Sequence, residues 1–464
     1  GVKLGTNWVQ VPMSKNIEQE CLSKNGGKNY YIQFHIKPWM RQFRQLDKYK
    51  DRKNFKQSLR TPSLAEALRL LHLKLEELGL YWSDIDNQLL PVPIKDHEIF
   101  DKIDFSKTVN HNPNDLGFDY AYGHCGSLDM PPYVYVENGN ITAPVEMITG
   151  RGGDYHWWRE GATANDFDHQ RVTPHLFDKA EGFVTKMATK QKPFFLYLPL
   201  PSPHTPILPT KEWAGKSGLN PYADFVMQID DRVGRLNALL EKLDIAENTL
   251  VIFTSDNGCS PEAKFDVLAK KGHDPSGIFR GHKADIFEGG HRVPFIVKWP
   301  KKIEAGIKSD KIICTTDLLA TCADLMGKVL LDNEGEDSFS MLPVFTKETE
   351  KNHLRSFTIH HSINGSFAIR KGDYKFIFCR GSGGWSFPRP GKKEAEDLPE
   401  FQLYNLKNDP EEMNNLYGKL PKIESELIAL FKASIQEGRT TPGIPQKNYG
   451  SHFSSRPWQP LAVF

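Results

Sequence analysis

The run Thr249-Leu-Val-Ile-Phe-Thr254 constrains the fold more than any other stretch of the chain. It is too short for a helix buried on all faces and matches a strand covered on both sides, the kind that open α/β sheets place near their centre. The run ends in Ser255-Asp256-Asn257-Gly258. A carboxylate and a carboxamide therefore stand side by side at the carboxyl end of a strand, where such sheets gather ligands, and the glycine lets the backbone turn sharply. Two neighbouring hard oxygen donors suit Ca2+ or Mg2+. The same two residues also make ordinary Asx turns, so the dipeptide alone leaves both readings open.

Basic side chains follow. In Arg280-Gly-His-Lys283-Ala-Asp-Ile-Phe-Glu-Gly-Gly-His291-Arg292-Val-Pro294 they sit among glycines, ahead of a second apolar strand at 295–299. A lysine on a glycine-flanked loop beside a cation site suits a tetrahedral oxyanion, and Lys283 is the candidate; the plain alternative is a solvated surface lysine. His204 lies between prolines in Pro203-His-Thr-Pro206, after a strand expected over 194–199. It reads either as a loop histidine or as an imidazole that serves an anionic leaving oxygen. His291 and Arg292 either line the same pocket or brace the loop.

Several further stretches fall in a recognisable order: Gly117-Phe-Asp-Tyr-Ala-Tyr-Gly123, Ser127-Leu-Asp-Met-Pro-Pro132, Pro193-Phe-Phe-Leu-Tyr-Leu-Pro199, and Leu403-Tyr-Asn-Leu-Lys-Asn-Asp409 near the end. Together with the two blocks above, they resemble the sulfatase family of the alkaline-phosphatase superfamily over residues 110–464. The resemblance implies a doubly wound alkaline-phosphatase-like α/β sandwich with a small carboxyl-terminal α+β lobe. It implies hydrolysis of sulfate esters, aryl or saccharide, with Ca2+ held at Asp256 and Asn257. It also implies sulfate contacts from His204 and Lys283, with His291 and Arg292 as substrate-binding candidates.

The family's nucleophile is a formylglycine made from a cysteine or serine in Cys/Ser-x-Pro/Ala-x-Arg. None of the cysteines at 21, 125, 259, 314, 322 and 379 sits in that pattern, Cys21-Leu-Ser-Lys-Asn coming nearest, and no serine offers a convincing match. The paired acids after the family's first strand and its Gly-Lys-Trp-His segment are not found either. The expectations are therefore no formylglycine, no assigned nucleophile, a weakly held and largely hydrated cation, and impaired hydrolysis by this chain alone. A sheet lacking that first strand would expose its edges to self-association. The competing readings are a catalytically inactive sulfatase-like binding protein with a nucleic-acid-binding arm, and a rearranged gene product. A phosphoesterase, the third, needs metal ligands not found here.

Residues 1–85 differ in character. Between 37 and 60 nine Lys or Arg face only Asp47 and Asp51, after an alternating strand at 29–36 and before a helix at 64–78, which Ser63 and Glu66 cap and Leu64, Leu68, Leu71 and Leu75 stripe. This small α+β module resembles the amino-terminal arm of phage-type integrases, which implies nucleic-acid contact through 37–60; a solvated basic hairpin is the equal alternative. A linker is expected at 86–114, then an α/β body at 115–342 and the α+β lobe at 343–464. Within the body a mostly parallel sheet is expected, with helices at 221–244 and 317–326; strands near 357, 366 and 374 and a helix at 422–436 belong to the lobe.

The net charge of +1 argues against a bulk electrostatic partner for the whole chain. No apolar run is long enough to span a bilayer, and Gly1-Val-Lys-Leu-Gly-Thr-Asn-Trp8 lacks the apolar core of a secretory signal, although the resembling family is usually exported. The cysteine spacing implies neither a zinc site nor a disulfide framework.

Overall fold

The computed structural model describes residues 103–346 and 355–447 and, between 1 and 102, the backbone of short strands. It divides into two compact units, Gly1–Ile103 and Asp104–Phe464. In the first, Asn29–His35 forms the central strand of an antiparallel sheet with Leu22–Asn25 and Asn54–Ser58 on its two sides. The alternating pattern at 29–36 thus becomes a strand. Residues 37–53 of the basic run and the helix expected at 64–78 lie outside the described residues.

The second unit opens on an antiparallel sheet of Tyr122–His124, Tyr135–Glu137 and Asn140–Ile141, followed by the hairpin of Val145–Arg151 and Trp158–Ala164. Tyr133, Tyr135, Phe167 and Leu176 pack with them into a core of aromatic rings. Sequence reading did not anticipate this hairpin or the helix Val172–Thr189, which buries Val172, Leu176, Phe177, Ala180 and Val184 along one face. The helix Pro221–Lys242 begins where expected because Asn220 accepts the Ala223 N–H at 3.1 Å and Pro221 occupies the first turn. Arg232 and Asp178, 3.1 Å apart, join the two helices.

Two strand expectations need correction. Val251–Thr254 pairs antiparallel with Phe295–Lys298, Phe253 opposite Ile296, where a parallel neighbour was expected. Both strands are half-buried, and Ile296 is 60% exposed. Residues 194–199 join no ladder among the described residues. Pro193, Pro199 and Pro201 remove backbone donors there. Side chains still alternate as in a strand: Phe195 and Tyr197 are exposed at 64% and 63%, while Leu198 and Leu200 pack inward.

The carboxyl-terminal lobe follows expectation. Phe357–His361, Phe367–Lys371, Tyr374–Ile377 and Gln402–Asn405 form a four-stranded antiparallel sheet in that order. The helix Pro421–Glu437 lays Leu427 and Phe431 on its face, with the Phe431 ring 4.3 Å from that of Phe378. Burying each of those two side chains contributes about 2–3 kcal/mol.

Candidate active site

The loop that leaves Val251–Thr254 is laced to the basic loop by backbone alone. The Lys283 N–H donates to the Cys259 carbonyl at 2.8 Å, and the Gly258 N–H donates to the Gly290 carbonyl at 3.0 Å. A Cβ on Gly258 would collide with the Gly289 carbonyl, so this approach requires a glycine. Asp256 and Asn257 are thereby held on the loop next to that of Lys283, with Asp256 exposed and Asn257 half-buried. Ser255 Oγ donates to the Asn257 carbonyl at 3.0 Å, a local turn contact.

Asp285 shapes the Lys283 loop. Its carboxylate is fully buried and accepts the N–H groups of His282 at 2.9 Å, Trp385 at 2.8 Å and Ser386 at 3.0 Å, which ties the loop to the carboxyl-terminal lobe. Between Lys283 and Asp285 the chain passes through Ala284 at φ +83°, a left-handed conformation that costs a residue with a Cβ about 1–2 kcal/mol. The Ile363 N–H, 3.0 Å from the Ala284 carbonyl, helps to hold it there. Lys283 is half-buried and has no carboxylate partner among the described residues.

Of the remaining basic residues of the motif, His291 turns inward while Arg292 stays exposed. The His291 ring lies 4.3 Å from that of His360, with its Nε2 buried and unpartnered, and its pKa falls to about 3 because burial, reinforced by Lys375, disfavours the cation. Arg292 meets Glu288 at 3.3 Å and covers the Phe279 ring at 4.8 Å. Glu288 also pairs with Lys375 at 3.0 Å and Arg370 at 3.6 Å, and Lys375 reaches Glu412 at 2.9 Å. Burial works to raise the Glu288 pKa, but Lys375 and Arg370 hold it below its ordinary value. Glu412, with fewer cations beside it, is pushed up by burial. This charged cluster went unnoticed in the sequence, where each member reads as a surface residue.

His204 belongs to a different cluster. Its Nδ1 lies 2.8 Å from the Thr205 carbonyl, 3.3 Å from Ser127 Oγ and 3.8 Å from Asp129 Oδ1. A carbonyl only accepts, so that contact puts a proton on Nδ1 and leaves Nε2 for another partner. Ser127 donates to Asp129 at 2.5 Å and Arg159 donates to it at 2.7 Å. Ser127 and Asp129 were visible as part of Ser127-Leu-Asp-Met-Pro-Pro132, but no spacing rule connects them to His204. No hydrogen bond or ion pair among the described residues joins His204 to the Lys283 loop.

Calcium takes about six to eight oxygen ligands. Asp256 and Asn257 offer far fewer, and the described residues hold no cluster of three or more His, Cys, Asp or Glu able to bind a metal ion. The two residues do not by themselves fit a resident calcium. One serine does carry the letters of the nucleophile pattern, Ser366-Phe-Ala-Ile-Arg370, contrary to the sequence reading. The structure puts it in the lobe's sheet, with Ser366 at 1% and Ala368 at 0% exposure, inaccessible to a substrate.

The sulfatase family model matches residues 99–328, and the model described as N-sulphoglucosamine sulphohydrolase, C-terminal, matches residues 279–440. An N-acetylgalactosamine-6-O-sulfatase of Bacteroides thetaiotaomicron is 29% identical over 367 residues, 71% of this chain and 70% of that protein. The N-acetylgalactosamine-6-sulfatase of Mus musculus is 31% identical over 386 residues, 78% of this chain and 70% of that protein. Other curated sulfatases are matched over about half of their own length. A solved sulfatase structure titled for the metabolism of multiple glycosaminoglycans by Bacteroides thetaiotaomicron superposes with a TM-score of 0.61 at 27% identity, covering 71% of this chain and 75% of that one. No helix among the described residues is long and apolar enough to cross a membrane. The alkaline-phosphatase-like α/β fold, the ordered motifs and these relatives agree: the chain belongs to the sulfatase family.

Proposed function

We propose that this chain carries the carboxyl-side half of a sulfate-ester hydrolase site, which binds the sulfate group of saccharide sulfate esters through Lys283 and His204. The supporting observation is the Lys283 loop. Its backbone is over-determined by Cys259, Gly290 and the Asp285 carboxylate, while the lysine itself has no acid partner among the described residues. An ammonium carried on a fixed backbone, without a counter-ion among the described residues, suits an anionic oxygen. His204, protonated on Nδ1, has Nε2 left for a substrate oxygen, where as an imidazolium it would donate a proton to the leaving group.

In this reading residues 1–464 bind sulfate esters but do not turn them over at a family-like rate. Hydrolysis by a sulfatase needs a covalent nucleophile, and loss of such a group removes several orders of magnitude in rate. The named relatives suggest a sulfated N-acetylhexosamine as the ligand.

Calorimetric titration with inorganic sulfate tests the binding, and a chromogenic aryl sulfate with added calcium tests the turnover. Weak sulfate binding that Lys283→Ala abolishes, with no turnover, is the expected result. Turnover that disappears in Lys283→Ala would overturn the proposed inactivity, and sulfate binding unaffected by that substitution would overturn the assignment of Lys283.

A further inference from the structure

The loop that carries Lys283 continues into the interior of the carboxyl-terminal lobe. Ile286 and Phe287 are fully buried and pack on Ala368, Ile377, Tyr404 and Leu406, so this segment plugs a second core of the lobe. The Ile286 N–H donates to the Ser382 carbonyl at 2.8 Å, and the Glu288 N–H donates to Glu412 at 2.6 Å. Two histidines close the junction. His291 ends the short helix Glu288–His291, His360 belongs to the strand Phe357–His361, and their ring centroids are 4.3 Å apart. The Asp285 backbone carbonyl accepts from the His291 ring and the Ile286 carbonyl from the His360 ring. The Nε2 atoms of both are closed off from solvent and have no hydrogen-bond partner.

Each ring thus uses one nitrogen as a donor to a carbonyl and keeps a bare lone pair on the other. A proton added there would be a buried N–H without an acceptor, on a cation that burial already penalises. The surrounding charges add to the cost. Lys375 and His361 face both rings, and Glu288, the acid facing His291, already pairs with Lys375, Arg370 and Arg292. Glu412 is likewise committed to Lys375. Asp285 spends its carboxylate on the N–H groups of His282, Trp385 and Ser386, and the Cys379 thiol beside this core, pushed up to about 11 by burial, stays neutral. Burial accordingly holds the His291 pKa at about 3 and that of His360 well below its ordinary value.

We propose that His291 and His360 form a proton-operated latch on the Lys283 loop: with both rings neutral the loop stays docked on the lobe, and uptake of two protons undocks it and frees the anion that Lys283 holds. Below an unfolded pKa of about 6.5 each ring favours the undocked state by up to tenfold per pH unit, so the pair approaches a hundredfold. Anion binding and proton uptake at the pair then oppose each other by linkage. Undocking is local, because the lobe's main core, built on Phe376, Leu403, Leu427 and Phe431, contains neither ring. The release of the anion rests on the reading of Lys283 as a sulfate-binding group; the latch does not.

Hydrogen exchange of the full chain, followed by mass spectrometry at pH 7, 6 and 5 and expressed relative to intrinsic amide rates, tests the latch. Protection of residues 285–291 should fall about fiftyfold between pH 6 and 5 while the helix Pro421–Glu437 keeps its own. His291→Asn and His360→Gln should each limit the fall to about tenfold, and the double variant should abolish it. A wild-type fall below about tenfold, the limit for one proton, overturns the latch. So does a simultaneous loss of protection in the helix, or a full fall in the double variant. Inorganic sulfate at about ten times its Kd should raise protection of 285–291 about tenfold at pH 5, and should fail to do so in Lys283→Ala. Protection that responds to pH but not to sulfate supports the latch and refutes the sulfate site instead.

Discussion

Asp285 accepts the N–H of Trp385, one hundred positions further along the chain, at 2.8 Å. With the His282 and Ser386 N–H groups on the same buried carboxylate, this anchors the loop of Lys283 to the lobe that carries Trp385. The site loop and the lobe are thus mechanically one structure. Hydrogen bonds to a charged acceptor contribute about 1.5–3 kcal/mol each, and their donors are costly to leave unpaired.

Asp285→Ala is therefore expected to destabilise the protein by about 3 kcal/mol or more and to weaken sulfate binding. Urea unfolding and sulfate titration measure the two effects. A loss below about 0.5 kcal/mol, the range of an ordinary surface substitution, would refute the anchoring role.

Lys375, fully buried between Glu288 and Glu412, predicts a second and larger effect. Lys375→Met leaves two buried carboxylates without their shared cation and should cost about 3–5 kcal/mol, because breaking a buried pair is far more harmful than replacing it whole. The triple variant Lys375→Met, Glu288→Gln, Glu412→Gln should recover part of that loss. If the single variant unfolds at the wild-type urea concentration, the cluster does not stabilise the fold.

Acid sensitivity follows from His291, whose pKa is lowered to about 3 in the folded chain, first by burial and then by Lys375. An unfolded histidine titrates near 6.5, so below that pH the unfolded state binds the extra proton and is favoured. The neutral buried ring contributes fully above pH 6.5. Its contribution declines as pH falls towards 3, by up to about 1.4 kcal/mol per unit. His360, also lowered by burial, acts in the same direction. Urea midpoints at pH 7, 6 and 5 should fall with pH, and less steeply in His291→Asn; an unchanged slope in that variant would exclude His291 as a cause.

Asp129→Asn tests the other cluster. It weakens the ion pair with Arg159 at 2.7 Å and replaces an acceptor of Ser127. Because that pair is exposed on the arginine side, a stability loss of no more than about 1 kcal/mol is expected. Sulfate affinity should fall more than this if Asp129 holds His204 in place through Ser127. Imidazole nitrogen shifts would then show a redistributed proton on His204, and unchanged shifts would leave Asp129 with a purely structural role.

The sequence by itself determined the elements whose signals are local. Asn220 and Pro221 start a helix, Leu427 and Phe431 stripe another, and alternation marks the lobe's strands, because caps and periodicity act over a few residues. Family motifs likewise placed Asp256, Asn257, Lys283 and His204 in order along the chain. Only the tertiary structure decided which partners they keep. The antiparallel pairing of Val251–Thr254, the unpaired backbone at 194–199 and the contacts of Asp129 with His204 depend on residues far apart in sequence. Glu288, Lys375 and Glu412 make the reason plain: a charged side chain has the same letter whether water or an opposite charge solvates it, and burial, which decides between them, is a property of the folded chain.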